Sequence, residues 1–486
     1  MRPLSAALAA VALVGCSGAD AQSVQQLAAG QAQPITQAER QQGQQADRSI
    51  LNEFGGAYQG PQAAYAARVG QKIAVQSGLS SNPGAFDVTL LNSPVNNAFA
   101  IPGGYVYVTR ELMALMNDEA ELAAVLGHEV AHVAARHSAK RQSAATRNSV
   151  LGALGQVLAG AVLGSDSAVG GLLQRGIGAG AQLATLGYSR GQETQSDDLG
   201  IAYLRRAGYD PAALSSMLDS LAKQTALDQR IAGNARAVPA WASTHPDPGA
   251  RVRRAAQQAG RGTGVRNRDA FLAAIDGMMY GEDPKQGVIE GRSFLHPAFR
   301  IAFTVPQGFS MQNGTNAVAI SGPNTQAQFT TASYNGDLTA YVGNVLRGLG
   351  AQTAPSVQRT TINGIPAGIA QVRASANNTP VDVTIIAYAP TTSAAFHFQV
   401  VTPAGNGLGA LDTTAQSFRK LSASEAAAAG KARYVRIHTV ATGDTAEKLS
   451  ARMAYSDLKL ERFLVLNGLD QGERLQSGSK VKLVTY

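Results

Sequence analysis

The sequence predicts an α+β chain of several domains: a mainly helical domain with a small β-sheet, an α+β domain, and a small terminal βααβ module. Three observations carry this reading. At roughly 150 residues per domain, 486 residues suggest about three units. In the first half the clearest segments, such as Ala63–Gln76 and Asp118–His137, place apolar residues at helical spacing. From about Asn267 the spacing changes to two, the mark of half-buried strands. The expected division is a leader over 1–16, a tether over 17–45, a first domain over 46–262, a second over 267–421, a linker over 422–433 and the module over 434–486.

Phe86–Leu91 alternates as a strand, Asn92–Asn97 is rich in turn residues, and Ala98–Val108 reads as strand, Gly103-Gly104 turn, strand. A helical region begins at Glu111. Asp118–His137 is the strongest helix: Asp118 followed by Glu121 is a capping-box pattern, and Leu122, Val125, Leu126, Val130 and Val133 mark one apolar face. A second helix is expected from Ser189 to a stop at Gly208, and a third after Asp210-Pro211. The apolar stretch Leu151–Gly187 is interrupted by Ser165, Asp166, Gln174, Arg175 and Gln182, so neither half offers the roughly 20 apolar residues of a membrane span. A pair of helices covering the site or touching a membrane surface is expected there. In the second domain, strands are expected at Phe299–Val305, Ala317–Ile320, Ala327–Ser333, Pro366–Ala374, Asp382–Ala389 and Ala394–Val401. Helices are expected at Leu338–Leu349 and Gly409–Leu421.

Arg2 precedes an apolar stretch, Leu4–Val14, that suits a secretion signal and is too short for a bilayer. It ends in Leu13-Val14-Gly15-Cys16, which resembles the lipobox of bacterial lipoproteins. That resemblance implies lipidation of Cys16 and, with Ser17 rather than Asp after it, the periplasmic face of the outer membrane. The alternative is an unpaired cysteine in a discarded leader. Cys16 is the one cysteine, so no disulfide can form within the chain. Part of the net charge of +8 clusters at Arg251, Arg253, Arg254, Arg261, Arg266 and Arg268. A secreted chain meets no nucleic acid, which leaves a solvated helix face or a patch for anionic lipid or cell-wall polymer.

His128-Glu129-Val130-Ala131-His132 is an H-E-x-x-H pattern on the predicted helix. Residues four apart share a helix face, so both imidazoles can turn to one ion. A random chain of this composition shows the pattern on the order of a few times per thousand. Zinc accepts such nitrogens at about 2.0–2.1 Å, and a catalytic zinc takes three protein ligands plus a water. Glu129 is placed to reach that water as general base. The third ligand is expected at Glu193, and Asp197, one turn on, can accept the other N–H of a ligand imidazole. On its own a Glu-x-x-x-Asp pattern is usually a solvated helix face. His137, about 140° further round the helix than His132, is expected to face away from the metal.

Together these residues resemble the HtpX/BepA-like zinc metallopeptidases. The landmarks are Asn97-Ala98-Phe99-Ala100-Ile101-Pro102-Gly103-Gly104, His128-Glu129-x-x-His132, Ser189-Arg190-x-x-Glu193-x-x-x-Asp197, and Ser243-Thr244-His245-Pro246 with Arg251, spread over about residues 35–260. The resemblance implies a zincin-type peptidase domain with one zinc per chain, held by His128, His132 and Glu193. It also implies Glu129 as catalytic base, with Asp197 and Arg251 behind the ligands. Gln195 and Ser196 stand where many members have Glu and Ala. The resemblance brings His245 near the zinc, either to stabilise the oxyanion or to occupy the open metal position in a resting state; a structural turn histidine is the alternative. It also makes Gly103–Val108 an edge strand, where Gly103, Gly104, Tyr105 and Val106 pair with an extended substrate. A plain hairpin is the alternative there.

Thr439-Val440-Ala441-Thr442-Gly443-Asp444-Thr445, with Leu449, Asn467-Gly468-Leu469 and Gly478, resembles a LysM module, although Ser477 stands where Pro is usual. The resemblance implies two helices on a two-stranded sheet and peptidoglycan as a partner; a structural cap is the alternative. The function expected from these resemblances is a zinc endopeptidase of the bacterial envelope that cuts misfolded or misassembled proteins. The competing expectation is a chaperone-like or wall-binding scaffold lipoprotein with a latent zinc site. His296, His397 and His438 are read as structural.

Overall fold

The computed structural model describes residues 22–138, 188–231, 241, 245, 247–349, 351, 356–376 and 379–486. The leader, Cys16 and the Leu151–Gly187 stretch lie outside the described residues. No helix among those described is long and apolar enough to cross a membrane.

The first domain builds from helices α1 (Val24–Ala28), α2 (Gln37–Glu53) and α3 (Pro61–Ala74), then strands β1 (Asp87–Leu91), β2 (Ala98–Ile101) and β3 (Tyr105–Thr109). Helices α4 (Arg110–Leu115), α5 (Glu119–Ala134), α6 (Arg190–Arg206), α7 (Ala213–Ile231), α8 (Pro248–Ala259) and α9 (Arg268–Ile275) follow. Asp118 caps α5 by accepting the Glu121 N–H at 2.9 Å. Glu121 reaches one residue beyond a capping box, to the Asn117 N–H at 2.7 Å. Helix α5 is buried almost all round, which marks a helix at the centre of a domain. Leu122, Leu126 and Val130 pack with Val69 and Ile73 of α3 and Leu199 and Tyr203 of α6 in one core. The helix stops at Ala134, short of the expected His137. Arg136 takes a φ of 53° and turns the chain, which brings His137 back against His132.

The small sheet corrects the edge-strand expectation. Its order is β1-β3-β2, with β3 parallel to β1 and antiparallel to β2. Strand β3 is central and both its edges are paired, so Tyr105 and Val106 have no free backbone edge for a substrate. Gly103 and Gly104 are glycines for a steric reason. Their φ values are 94° and 86°, and a Cβ would lie 2.5 Å from the Glu39 carbonyl oxygen and 2.4 Å from that of Ala85. The outer strand beside the long helix is β2, which lies against α5.

In the second domain the alternating segments are strands. A seven-stranded antiparallel sheet runs β11 (Gln358–Ile362), β12 (Ile365–Ala376), β13 (Thr379–Tyr388), β14 (Phe396–Pro403), β10 (Thr325–Thr331), β9 (Ala317–Gly322), β8 (Ser310–Asn313). Helix α10 (Leu338–Gly348) covers one face through Leu338, Tyr341, Val342 and Leu346. The other face packs Phe329 and Phe398 onto Phe294 and Phe303 of a four-stranded sheet, β5 (Val288–Glu290), β6 (Ser293–His296), β7 (Ile301–Thr304) and β15 (Arg419–Lys420). The helix expected over Gly409–Leu421 is cut to α11 (Asp412–Ser417), because Phe418 is buried and Arg419-Lys420 pair with β7. The expected linker holds helix α12 (Ala423–Ala429).

The terminal module runs β16 (Arg433–Thr439), α13 (Ala446–Ala451), α14 (Lys459–Leu466), β17 (Lys480–Thr485), a βααβ order. Its sheet has a third strand, β4 (Met279–Tyr280), and Phe271, Leu272, Ile275 and Met278 pack in the first domain's core. Residues 268–280 therefore tie those two units together rather than opening the second domain. Lys482 is fully buried and donates to the carbonyls of Ala114, Leu115 and Met116 at 2.8, 3.2 and 2.6 Å. Its Nζ caps the open end of α4, where helix carbonyls lack partners.

Four of the six clustered arginines are taken up by partners, while Arg253 and Arg261 are exposed. Arg251 is buried on Glu193 and Asp197, Arg254 pairs with Asp198, and Arg266 pairs with Asp118 and Asp210. Arg268 donates to the Asn117 and Lys480 carbonyls.

Candidate metal centre

Three helices supply the centre. Helix α5 carries His128, Glu129 and His132 on buried turns. Helix α6 starts at Ser189, whose side chain and that of Gln192 form a reciprocal capping box, and this sets Glu193 in the first turn and Asp197 one turn later. Helices α5 and α6 approach closely because Gly200 faces the His128 backbone; a Cβ there would lie 3.4 Å from the His128 nitrogen. Arg251 enters from α8, and His245 from the segment before it.

His128, His132, Glu193 and His245 each offer one donor atom, and the four lie within 4.8 Å of one another. The separations are 3.0 Å for His128 Nε2 to His132 Nε2 and 3.6 Å for His128 Nε2 to Glu193 Oε2. They are 3.4 Å for His132 Nε2 to Glu193 Oε1 and 3.4 Å for His128 Nε2 to His245 Nδ1. Bonds of 2.0–2.1 Å to a tetrahedral zinc give donor–donor edges of about 3.3 Å, so an ion of that size fits the middle. The protons point the same way. His128 Nδ1 lies 3.0 Å from Asp197 Oδ1, and His132 Nδ1 lies 2.9 Å from His137 Nδ1. With those N–H groups turned outward, two Nε2 lone pairs face each other at 3.0 Å, an arrangement that repels unless a cation lies between them.

The charges agree with that reading. Burial drives His132 well below the usual imidazole range, the direction that favours the neutral form a metal ligand needs. Burial alone would raise Glu193, but His245, His132 and His128 hold it far below the carboxylate range. Asp197 is likewise held low against burial by Arg251 and His128. Glu129 goes the other way: burial and the nearby Glu193 charge raise it well above the usual range. Both Glu129 oxygens are buried without a hydrogen-bond partner.

The fourth corner, which a catalytic zinc keeps for water, is taken by His245. Its Nδ1 lies 3.1 Å from Glu193 Oε1, and its Nε2 lies 3.5 Å from Glu129 Oε1. The Trp241 ring stacks on it at 4.2 Å, and Tyr188 stacks on His132 at 3.6 Å. His128, Glu129, His132, Glu193 and His245 are all 2% exposed or less. This is a closed centre.

The expected residues His128, Glu129, His132, Glu193, Asp197, His245 and Arg251 are thus brought together. Gly103, Gly104, Tyr105 and Val106 are not; they belong to the interior strand and its turn. Sequence reasoning missed Tyr188, Trp241 and His137. Only His137 carried a signal, a third histidine soon after the pair.

Two imidazoles one turn apart, a glutamate following the first and a carboxylate from a second helix define an H-E-x-x-H metallopeptidase domain. Residues 61–259 match the model of peptidase family M48, so this part of the chain is similar to the HtpX/BepA-like metallopeptidase domains. It is 32% identical over 191 residues to a beta-barrel assembly-enhancing protease of Yersinia pestis, covering 39% of this chain and 37% of that protein. It is 30% identical over 221 residues to mitochondrial metalloendopeptidase OMA1 of Schizosaccharomyces pombe, covering 44% and 59%. It is 35% identical over 129 residues to metalloprotease LoiP of Escherichia coli K12, covering 26% and 48%. The chain thus spans between about a third and three fifths of these relatives' own length.

Proposed function

We propose that this chain is a zinc metalloendopeptidase of the bacterial cell envelope that hydrolyses peptide bonds in misfolded or misassembled envelope proteins. The observation that carries the proposal is the four-donor group with an orphaned glutamate beside it. His128, His132 and Glu193 hold the ion. When bound, zinc supplies a Lewis acid that polarises the scissile carbonyl and makes water acidic. Glu129 takes the proton of the attacking water and passes it to the leaving amine. Asp197 fixes His128 through its Nδ1–H, and Arg251 holds both carboxylates of α6. An extended substrate pairs with the outer edge of β2, the open strand beside α5, rather than with β3. The name beta-barrel assembly-enhancing protease, carried by relatives, supports assembling proteins as substrates. Anchoring through lipidated Cys16 to the outer membrane and peptidoglycan binding by the terminal module complete the proposal.

The test is direct. The full chain should carry one zinc and cut an unfolded β-rich protein. A chelator should stop the cutting, and one equivalent of zinc should restore it. Cutting that survives metal removal would exclude the proposed chemistry.

The closed geometry favours a second element, a resting state in which His245 fills the water position. His245→Ala should keep zinc on its three remaining ligands and cut roughly tenfold faster, the effect of releasing a mostly closed population. A fall in rate would instead make His245 a catalytic group, and an unchanged rate would remove it from the site.

A further inference from the structure

His137 is fully buried, has no place among the four metal donors, and is not used by the chemistry above. It lies at the end of a chain of contacts that runs into the centre. Its Nε2 is 3.1 Å from Gln195 Oε1, its Nδ1 is 2.9 Å from His132 Nδ1, and Ser196 Oγ approaches the same Nδ1 at 3.4 Å. Its backbone carbonyl accepts from Gln192 Nε2 at 3.4 Å.

One assignment of protons satisfies these links. The carbonyl oxygen of Gln195 can only accept, so His137 carries its proton on Nε2. That leaves a lone pair on His137 Nδ1, which takes the Nδ1–H of His132. His132 is then bound to present its Nε2 lone pair to the ion. The two neighbouring nitrogens at 2.9 Å could not both be bare or both be protonated as neutral rings. Asp197, a carboxylate on the same helix as Gln195 and Ser196, lies 3.0 Å from His128 Nδ1 and is placed for the equivalent role. The left-handed turn at Arg136 is what allows the ring five residues on to return beneath its own helix.

We propose that His137, fixed by Gln195, is a positioning residue that sets the tautomer and orientation of His132 for zinc. Each metal-binding imidazole then has its own support: a carboxylate behind His128 and a second imidazole behind His132. The two positions at which this chain departs from its family pattern, Gln195 and Ser196, both touch His137. A neutral acceptor at 195 adds no charge behind His132; among the described residues, Asp197 and Arg251 are the charged groups behind the two imidazoles.

The proposal rests on His132 being a zinc ligand, and its test reads metal affinity rather than cleavage. Zinc affinity of the full chain is measured by competition with a chromogenic chelator, and folding of the metal-free protein by circular dichroism. His137→Leu should weaken zinc roughly 10–100-fold, the usual effect of losing such a support. His137→Asn, which keeps an acceptor near the Nδ1 position, should recover most of that affinity. If His137→Leu holds zinc within about twofold of wild type, or His137→Asn is as weak as His137→Leu, the relay is overturned. Should His137→Leu not fold, Gln195→Leu decides: it frees the His137 tautomer and should weaken zinc several-fold, and unchanged affinity overturns the relay. A wild-type chain that takes no zinc would overturn the metal centre and the relay together, whereas a zinc-binding wild type with an indifferent His137 overturns the relay alone.

Discussion

Glu129→Gln will hold one zinc per chain, bind substrate as wild type does, and lose about 10²–10⁴-fold in kcat, the range that a positioned general base supplies. That is a loss of roughly 3–5 kcal/mol of barrier lowering. The exchange is nearly isosteric, and Glu129 gives up no hydrogen bond by it, because neither oxygen has a partner. Its stability effect has a definite sign. An acid whose folded pKa is raised makes folding less favourable as pH climbs from its unfolded value through its folded one, since the folded state holds the proton longer. Without metal, wild type carries that penalty at neutral pH and the glutamine does not. Metal-free Glu129→Gln should therefore melt no lower than wild type, and above it at pH 8. Together the two results mark a residue kept for chemistry at the expense of stability. Zinc-loaded Glu129→Gln that still cuts within tenfold of wild type would remove the base from this site.

How far the sequence reaches follows from how local each feature is. His128 and His132 are legible because four residues on a helix fix a shared face, and the helix is marked by its own apolar spacing and by Asp118. Glu193 and Asp197 share a face by the same rule. Nothing local says that this face meets α5, and only the ordered landmarks of the resemblance brought them together. His137 was misjudged by continuing the helix through Arg136. A left-handed φ at an arginine leaves no mark in composition, unlike the Gly103-Gly104 turn. The hairpin of β2 and β3 was visible in alternation and glycines. The parallel pairing of β1 with β3 skips over β2, and no hairpin reading could contain it, which is why β3 was mistaken for an edge. In the second domain, alternation located Thr325–Thr331 and Phe396–Pro403 to within a few residues. The short β5, β8 and β11 have too few residues for a period to show. Nothing local in α9 says that its apolar residues Phe271, Leu272 and Ile275 pack toward a core that lies earlier in the chain.

Arg251→Met should cost the metal-free protein about 3–5 kcal/mol, the usual penalty for stripping the partner from a buried ion pair. At roughly 2–4 °C per kcal/mol this is a Tm drop on the order of 10 °C. The arginine is 8% exposed and Asp197 and Glu193 are each 1% exposed, so water cannot replace the lost partner. Its Nε and Nη2 fork onto Asp197 at 2.8 and 2.5 Å, and Nη1 reaches Glu193. Lysine offers one ammonium instead of that planar fork, so Arg251→Lys should recover only part of the loss. The informative quantity is the difference between metal-free and zinc-loaded melting. Zinc neutralises Glu193 by itself, leaving only Asp197 bereft, so the zinc-loaded variant should lose less than the metal-free one. The stabilisation gained on adding zinc should thus be larger in Arg251→Met than in wild type. Equal losses in the two forms would mean that Glu193 does not pass from arginine to metal, and that Arg251 serves Asp197 alone. Unequal losses in the expected order would show the two cations sharing one carboxylate, with the arginine holding α6 in register until the ion arrives.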